Sequence, residues 1–200
     1  MKKAGKNSAA AIVLFLSAFF IQFALAIGDV IRLVQYSADI WWWTRFTLGI
    51  AILFLGFFFM ILGAVFTYYG RIPIFYPFGC IICAAYFLFM VITTFTLLGT
   101  SNINGYTAIQ ITVQSLLIPP FIILAVDGFK RSRNKIVGIV GSAVLLLISL
   151  LALLLDLILD FDALSQITFN SVASFVNTLM YDVVFVLIAI GSFVFVMKRK

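Results

Sequence analysis

Residues 46–66 read FTLGIAILFLGFFFMILGAVF, a run of 21 residues that contains no charged side chain. An α-helix rises about 1.5 Å per residue, so this run is long enough to cross the hydrocarbon core of a bilayer, which is about 30 Å thick. A helix is expected there because it satisfies its own backbone hydrogen bonds, which lipid cannot do. The stretch therefore predicts a transmembrane helix.

Five further apolar runs of similar length surround it. They cover approximately residues 7–28, 75–98, 106–126, 136–158 and 179–197. The whole chain of 200 residues is 64% hydrophobic and only 10% charged, whereas soluble domains carry about a quarter charged residues. We therefore predict an all-α, polytopic membrane protein with six transmembrane helices in one bundle. This bundle would form a single integral membrane domain over residues 1–200.

The basic residues are distributed unevenly around these spans. Eleven of the thirteen Lys and Arg residues fall on one side, and only Arg32 and Arg45 fall on the other, together with six of the seven acidic residues. Basic residues in short loops mark the cytoplasmic side. We therefore expect a multi-pass plasma-membrane protein with both termini in the cytoplasm. The chain has no N-x-[ST] sequon, which is compatible with a bacterial membrane.

The net charge of +6 does not indicate nucleic-acid binding, because the basic residues are split among four short segments. The lipid bilayer is the partner that this charge pattern favours. The first apolar run also resembles a secretory signal peptide, with Ala24-Leu25-Ala26 as a small-residue cleavage site. The run is longer than a typical signal core, so we expect it to remain as the first span.

Two longer connections on the predicted outer side show helical periodicity. Polar side chains recur every three or four positions, at Asp29, Arg32, Tyr36 and Asp39 in the first and at Asp162, Gln166, Asn170, Ser174 and Asn177 in the second. This period is typical of amphipathic helices that lie in the membrane interface. We predict two short amphipathic helices on the outer face, over residues 29–44 and 162–181. They either partly cover the mouth of the bundle or simply link the spans.

Glycines recur at seven-residue intervals along the second span. They are Gly49, Gly56, Gly63 and Gly70. Seven residues make nearly two helical turns, so these glycines form one stripe on which another helix can approach closely. The stripe predicts a helix-packing seam. The second helix of that seam belongs either to a partner subunit or to this chain.

Several polar residues fall near the predicted outer ends of the later spans. Asp156 and Asp160 are one turn apart, as are Gln110 and Gln114, while Asp182 begins the last span and Arg45 begins the second. If these faces point inward, they form an acidic, amide-lined vestibule for a cation or polar solute. The alternative is that these side chains merely reach water at the helix ends.

Two further motifs interrupt the apolar spans. Pro119 and Pro120 remove two backbone donors from the fourth span, so they predict a helix break, which transporters use at binding sites and other helices use for packing alone. Cys80 and Cys83 form a C-x-x-C in the third span. Buried cysteines commonly serve as small apolar residues, and we favour that interpretation over a redox role.

The chain contains no His and no Glu, which excludes histidine bases and histidine metal ligands. It also lacks a G-x-S-x-G, a G-x-G-x-x-G and a P-loop, the usual motifs for nucleophiles and nucleotides. We expect no enzyme activity, no metal site and no cofactor. We expect a non-catalytic membrane subunit of a larger transport, export or secretion complex, with other membrane subunits or a second copy as partners. The alternative is an autonomous small channel or solute carrier with an acidic, outward-facing vestibule.

Overall fold

The computed structural model describes residues 6–35, 39–71, 74–98, 104–130, 135–161 and 169–198. The described ranges form six helices: α1 (Lys6–Gln35), α2 (Ile40–Tyr68), α3 (Phe75–Leu98), α4 (Gly105–Lys130), α5 (Ile136–Phe161) and α6 (Phe169–Lys198). All six are long and apolar enough to cross a membrane. The structure therefore confirms an all-helical chain with six helices able to span a membrane, which indicates a multi-pass membrane protein.

The six helices form a closed ring. Each helix packs against its neighbours in the sequence, and α1 also packs against α6. Because the connections are short, successive helices run antiparallel. One end of the ring carries Arg71, Lys130 and Lys135, and we call it the basic end. The other end, where α1 finishes and α2 begins, carries Asp29 and Asp156, and we call it the acidic end.

The limits of α2 follow from the residues beside it. At its start, Asp39 Oδ1 accepts a hydrogen bond of 3.0 Å from the backbone N–H of Trp42, which satisfies one of the free donors of the first turn. At its end, Gly70 has a φ of +72°, a conformation that favours glycine. This turn lets the N–H of Arg71 reach the carbonyl of Phe66 at 2.8 Å and closes the helix.

Aromatic side chains fill the ring on the basic-end side. Tyr76 stacks on Phe195 with 4.2 Å between the ring centroids, and Phe15 lies 6.3 Å from Tyr76 by the same measure. Phe57 and Phe121 are buried in the same core. These aromatic side chains come from five of the six helices. Their packing therefore stabilises the helix ring on its basic-end side.

The structure does not show the two separate amphipathic helices that the sequence predicts. Residues 29–35 continue α1, residues 40–44 open α2, and residues 169–181 belong to α6, while residues 162–168 lie outside the described ranges. The prediction was wrong because a transmembrane helix with a polar face toward the ring interior has the same 3.6-residue period as an interfacial helix.

Candidate functional site

A cavity of about 440 Å³ lies inside the ring at its acidic end. Side chains from all six helices line it. Cavities of roughly 300–1,000 Å³ are typical of sites that bind small organic molecules. The ring therefore brings together, in one place, residues that are spread over the length of the chain.

The structure brings four of the five predicted vestibule residues to this cavity. Gln110 and Gln114 line it from α4, Asp156 from α5 and Asp182 from α6. Asp160 belongs to the last turn of α5, and its side chain lies outside the described part of the structure. The mixture of carboxylates and amides gives this wall both charge and hydrogen-bonding capacity.

Asp29 lines the cavity from α1, and its carboxylate accepts hydrogen bonds from two side chains of α6. The Tyr181 hydroxyl donates a hydrogen bond to Asp29 Oδ2, and Asn177 Nδ2 donates one of 3.3 Å to Asp29 Oδ1. Hydrogen bonds to a charged acceptor are stronger than those between neutral groups. This carboxylate therefore fastens α1 to α6 at the point where the ring closes.

Arg45 faces the cavity from the first turns of α2. Its Nη2 donates a hydrogen bond of 2.6 Å to Thr94 Oγ1 on α3, and its Cζ lies 5.3 Å from the centroid of the Trp42 ring, within the range of a cation–π contact. Its Nε is buried without a hydrogen-bond partner. The guanidinium of this cavity-lining residue therefore has one donor that no described residue uses.

Two amide side chains that line the cavity each have an oxygen atom without a hydrogen-bond partner. Gln22 on α1 is only 1% exposed, and its Oε1 has no hydrogen-bond partner. The Oε1 atom of Gln114 on α4 is also buried and without a partner. Gln110 differs, because its Nε2 donates a hydrogen bond of 2.9 Å to the Tyr106 hydroxyl. Buried polar groups are normally hydrogen-bonded, so these two oxygens are unusual among the polar atoms of the wall.

The cavity wall carries three carboxylates and two guanidinium groups. The carboxylates are those of Asp29, Asp156 and Asp182, and the guanidinium groups are those of Arg32 and Arg45. Among the described residues, no group of three or more Asp and Cys side chains is close enough to hold a metal ion. The wall therefore carries charged groups of both signs.

Apolar side chains close the inner end of the cavity. Phe87, Leu117 and Phe185 line it and also belong to the buried core. The rings of Phe87 and Phe185 are 4.9 Å apart between centroids, and Phe121 lies 5.9 Å beyond Phe87 by the same measure. The polar cavity thus ends at aromatic side chains. The packed core of the half of the ring nearer the basic end, which we call the basic half, lies beyond them.

Three glycines of the predicted seam face α3 of the same chain. A Cβ built on Gly56 would lie 2.7 Å from Cys83 Sγ, and one on Gly63 would meet the backbone of Tyr76. Gly49 is less crowded, with Met90 Sδ at 3.5 Å, and Gly70 follows the helix with open space around it. The glycine stripe therefore serves the contact between α2 and α3 within the chain. It no longer argues for a partner subunit.

The prolines and cysteines lie outside the cavity wall. Helix α4 continues through Pro119 and Pro120, so they produce no break in the helical assignment, although each still removes a backbone donor. Cys80 and Cys83 are free and buried. They lie in the packed core at 0% exposure, which is the environment of a small apolar residue.

The sequence analysis did not assign Gln22, Tyr86, Asn177 or Tyr181 to a site, yet all four line the cavity. A usable signal was present in the spacing. Gln22 and Asp29 are seven residues apart and share one face of α1, while Asn177 and Tyr181 are one turn apart on α6. The signal was missed because each residue looked like an isolated polar group within an apolar span or a surface segment.

Comparison of this chain with protein-family models, curated proteins and solved structures finds no match.

Proposed function

We propose that the protein is the solute-binding, non-catalytic membrane subunit of a larger transport complex. One observation carries this proposal: a closed ring of six membrane-spanning helices surrounds a polar cavity that all six line. Polar groups are costly within a membrane and usually face a cavity or a partner. A cavity of this size with unused hydrogen-bonding atoms fits a small polar solute.

The orientation proposed from the basic residues gives the cavity a direction. If Arg71, Lys130 and Lys135 lie in the cytoplasm, the acidic end faces the outside of a plasma membrane, as in a bacterium. The solute then enters from outside. The proposed partners are the lipid bilayer and either other membrane subunits or a second copy of the chain, and nucleic acid is not among them.

A partner subunit is proposed because the basic half is tightly packed. Helix α3 lies against α2 so closely that a Cβ on Gly79 would come within 2.6 Å of Met60 Cγ. A solute can leave the cavity toward the basic end only if such contacts separate. Packed interfaces switch between discrete arrangements and do not deform smoothly, so a protein that supplies energy would drive the change.

A second candidate is an autonomous carrier. The observation that favours it is that one chain supplies all six helices of the ring, so a single copy already contains a complete cavity wall. In that case, binding of the solute itself would shift the ring between two arrangements.

The binding part of the proposal is tested by filling the cavity. Val113 lines the cavity, so Val113→Trp should occupy it, whereas Leu147 is 68% exposed on α5 and Leu147→Trp is the matched control. Native mass spectrometry would compare the small molecules that the wild type and both variants retain after mild extraction from a bacterial host. We expect the wild type and Leu147→Trp to retain a small polar molecule and Val113→Trp to lose it. Equal retention by Val113→Trp, or no retention by the folded wild type, contradicts the proposal.

The choice between subunit and carrier is tested with the same preparation. A protein that remains bound in a fixed ratio to the chain supports the subunit. Flux of the retained molecule into liposomes that contain only this chain supports the carrier instead, and Val113→Trp should abolish that flux.

A further inference from the structure

Arg45 has an unusual set of contacts for a guanidinium within a membrane-spanning helix. Its contacts in the described part of the structure are a hydrogen bond to the hydroxyl of Thr94 and a face-on approach to the ring of Trp42, both of which are neutral groups. Arginine stays protonated in proteins, and charges at membrane depth pair with opposite charges. The buried, unpartnered Nε of Arg45 therefore points to an anionic group that enters from the cavity.

Asp29, a carboxylate of the same cavity, is engaged elsewhere. Tyr181 and Asn177 on α6 both donate to it. The carboxylate is thus occupied in closing the ring between α1 and α6. A carboxylate brought by the solute would give Arg45 the partner that Asp29 does not.

Two amide side chains of the cavity lack a hydrogen-bond donor, whereas the Nε of Arg45 lacks an acceptor. Gln22 and Gln114 line the cavity from α1 and α4, and each has a buried Oε1 atom without a hydrogen-bond partner. A buried acceptor left without a donor is unfavourable. An ammonium group or another N–H donor of the solute would supply the donor that such an oxygen lacks.

We propose that the cavity binds a small zwitterion. Its carboxylate pairs with the Nε and an adjacent Nη of Arg45, and its ammonium group donates to the Oε1 atoms of Gln22 and Gln114. Its carbon skeleton packs on Phe46 and Tyr86, which line the same space. A carboxylate fits the side of a guanidinium through two parallel hydrogen bonds. This inference rests on the proposed solute-binding function and names its substrate class.

Calorimetry on the full chain in lipid nanodiscs tests the ligand class. The probes are L-phenylalanine, 4-aminobutanoate and 6-aminohexanoate, which place the two charges at different separations. Each probe is compared with the analogue that lacks its carboxylate and the analogue that lacks its amine. We expect at least one zwitterion to bind about tenfold more tightly than both of its analogues, because each analogue leaves one end of the site unsatisfied.

Variants at Arg45 test the assigned contact. Arg45→Met should weaken binding of that zwitterion about tenfold or more, and Arg45→Lys should weaken it less, because lysine keeps the charge but not the paired donors. Both variants should still bind the analogue that lacks the carboxylate as the wild type does, which shows that they are folded. Arg71→Met is the matched control, since Arg71 lies at the basic end over Phe66, and it should bind like the wild type.

Two results would overturn the zwitterion. One is that no zwitterion binds better than its analogues, and the other is that Arg45→Met binds it as tightly as the wild type. If no probe binds but the wild type still retains a small molecule that Val113→Trp loses, the ligand class is wrong and the proposed function stands. If that retention also fails, the proposed function is wrong as well.

Discussion

The basic half and the acidic half of the ring use glycine in different ways. In the basic half, a Cβ on Gly191 would lie 2.7 Å from Cε1 of Phe15, and one on Gly79 would lie 2.7 Å from the backbone nitrogen of Met60. In the acidic half, the nearest atom to a Cβ on Gly28 is 3.9 Å away, an ordinary contact distance. Only the first group is needed for close helix packing.

The two halves also differ in what fills the ring. Buried aromatic rings occupy the basic half, where Tyr76 stacks on Phe195. Amides and charged groups surround open space in the acidic half. The difference teaches that the ring combines a tightly packed half, which supplies stability, with a polar half, which supplies a site.

We expect the largest difference in stability loss between the two halves when an aromatic side chain is truncated. Phe195→Ala removes a fully buried ring, so it should lower the free energy of unfolding by about 3–5 kcal/mol. Phe46→Ala should lower it by less than half as much, because Phe46 is half-buried beside existing space. Unfolding titrations with a denaturing detergent in mixed micelles would measure both. Equal losses would show that the acidic half is packed as tightly as the basic half.

Replacement of a glycine by alanine should also destabilise the basic half more than the acidic half. A Cβ on Gly63 would lie 2.7 Å from the Cα of Tyr76, so Gly63→Ala should lower the free energy of unfolding by about 1–3 kcal/mol through overpacking. Gly28→Ala should be neutral or stabilising, since alanine is favoured over glycine in a helix by about 1 kcal/mol. Thermal unfolding of the two variants checks the prediction, and the reverse order would refute the division into halves.

Loss of one hydroxyl should affect the polar half more gently. Tyr181→Phe removes the donor to Asp29 Oδ2, so the free energy of unfolding should fall by about 1.5 kcal/mol. Tyr69→Phe is the matched control, because Tyr69 is 71% exposed near the basic end. If both variants unfold like the wild type, the contact between α1 and α6 does not contribute to stability.

The smallest expected effect concerns the start of α2. Asp39→Ala removes the acceptor for the backbone N–H of Trp42 and should lower the free energy of unfolding by about 1 kcal/mol. Asp39→Asn should retain most of it, because asparagine is an equally good cap. A loss of the same size in both variants would indicate that the charge of Asp39, and not its capping hydrogen bond, stabilises the acidic end.

Much of the fold was predictable because membrane spans depend on local composition. The run over residues 75–98 matches α3 (Phe75–Leu98), since an uncharged apolar stretch must form a helix in lipid. The ends of α1 and α6 were not predictable in the same way. Asp29 and Asn177 made those ends look like surface segments, although they face a shared interior.

The site was predictable only in part for a similar reason. Gln110, Gln114, Asp156 and Asp182, which line the cavity, drew attention in the sequence because polar residues stand out in apolar spans. The unpartnered Oε1 of Gln22 and Nε of Arg45 could not be predicted from the sequence. Whether such an atom finds a partner depends on the side chains packed around it and not on the residue type.

The sequence by itself determined the class of protein and the number of spans, because the transfer of apolar residues into lipid depends on composition and length alone. The tertiary structure decided the closed ring, the internal use of the glycine stripe and the cavity with its unsatisfied groups. These features depend on which helix faces which, and that choice follows from contacts between residues far apart in the chain, such as Asp29 with Tyr181 and Arg45 with Thr94.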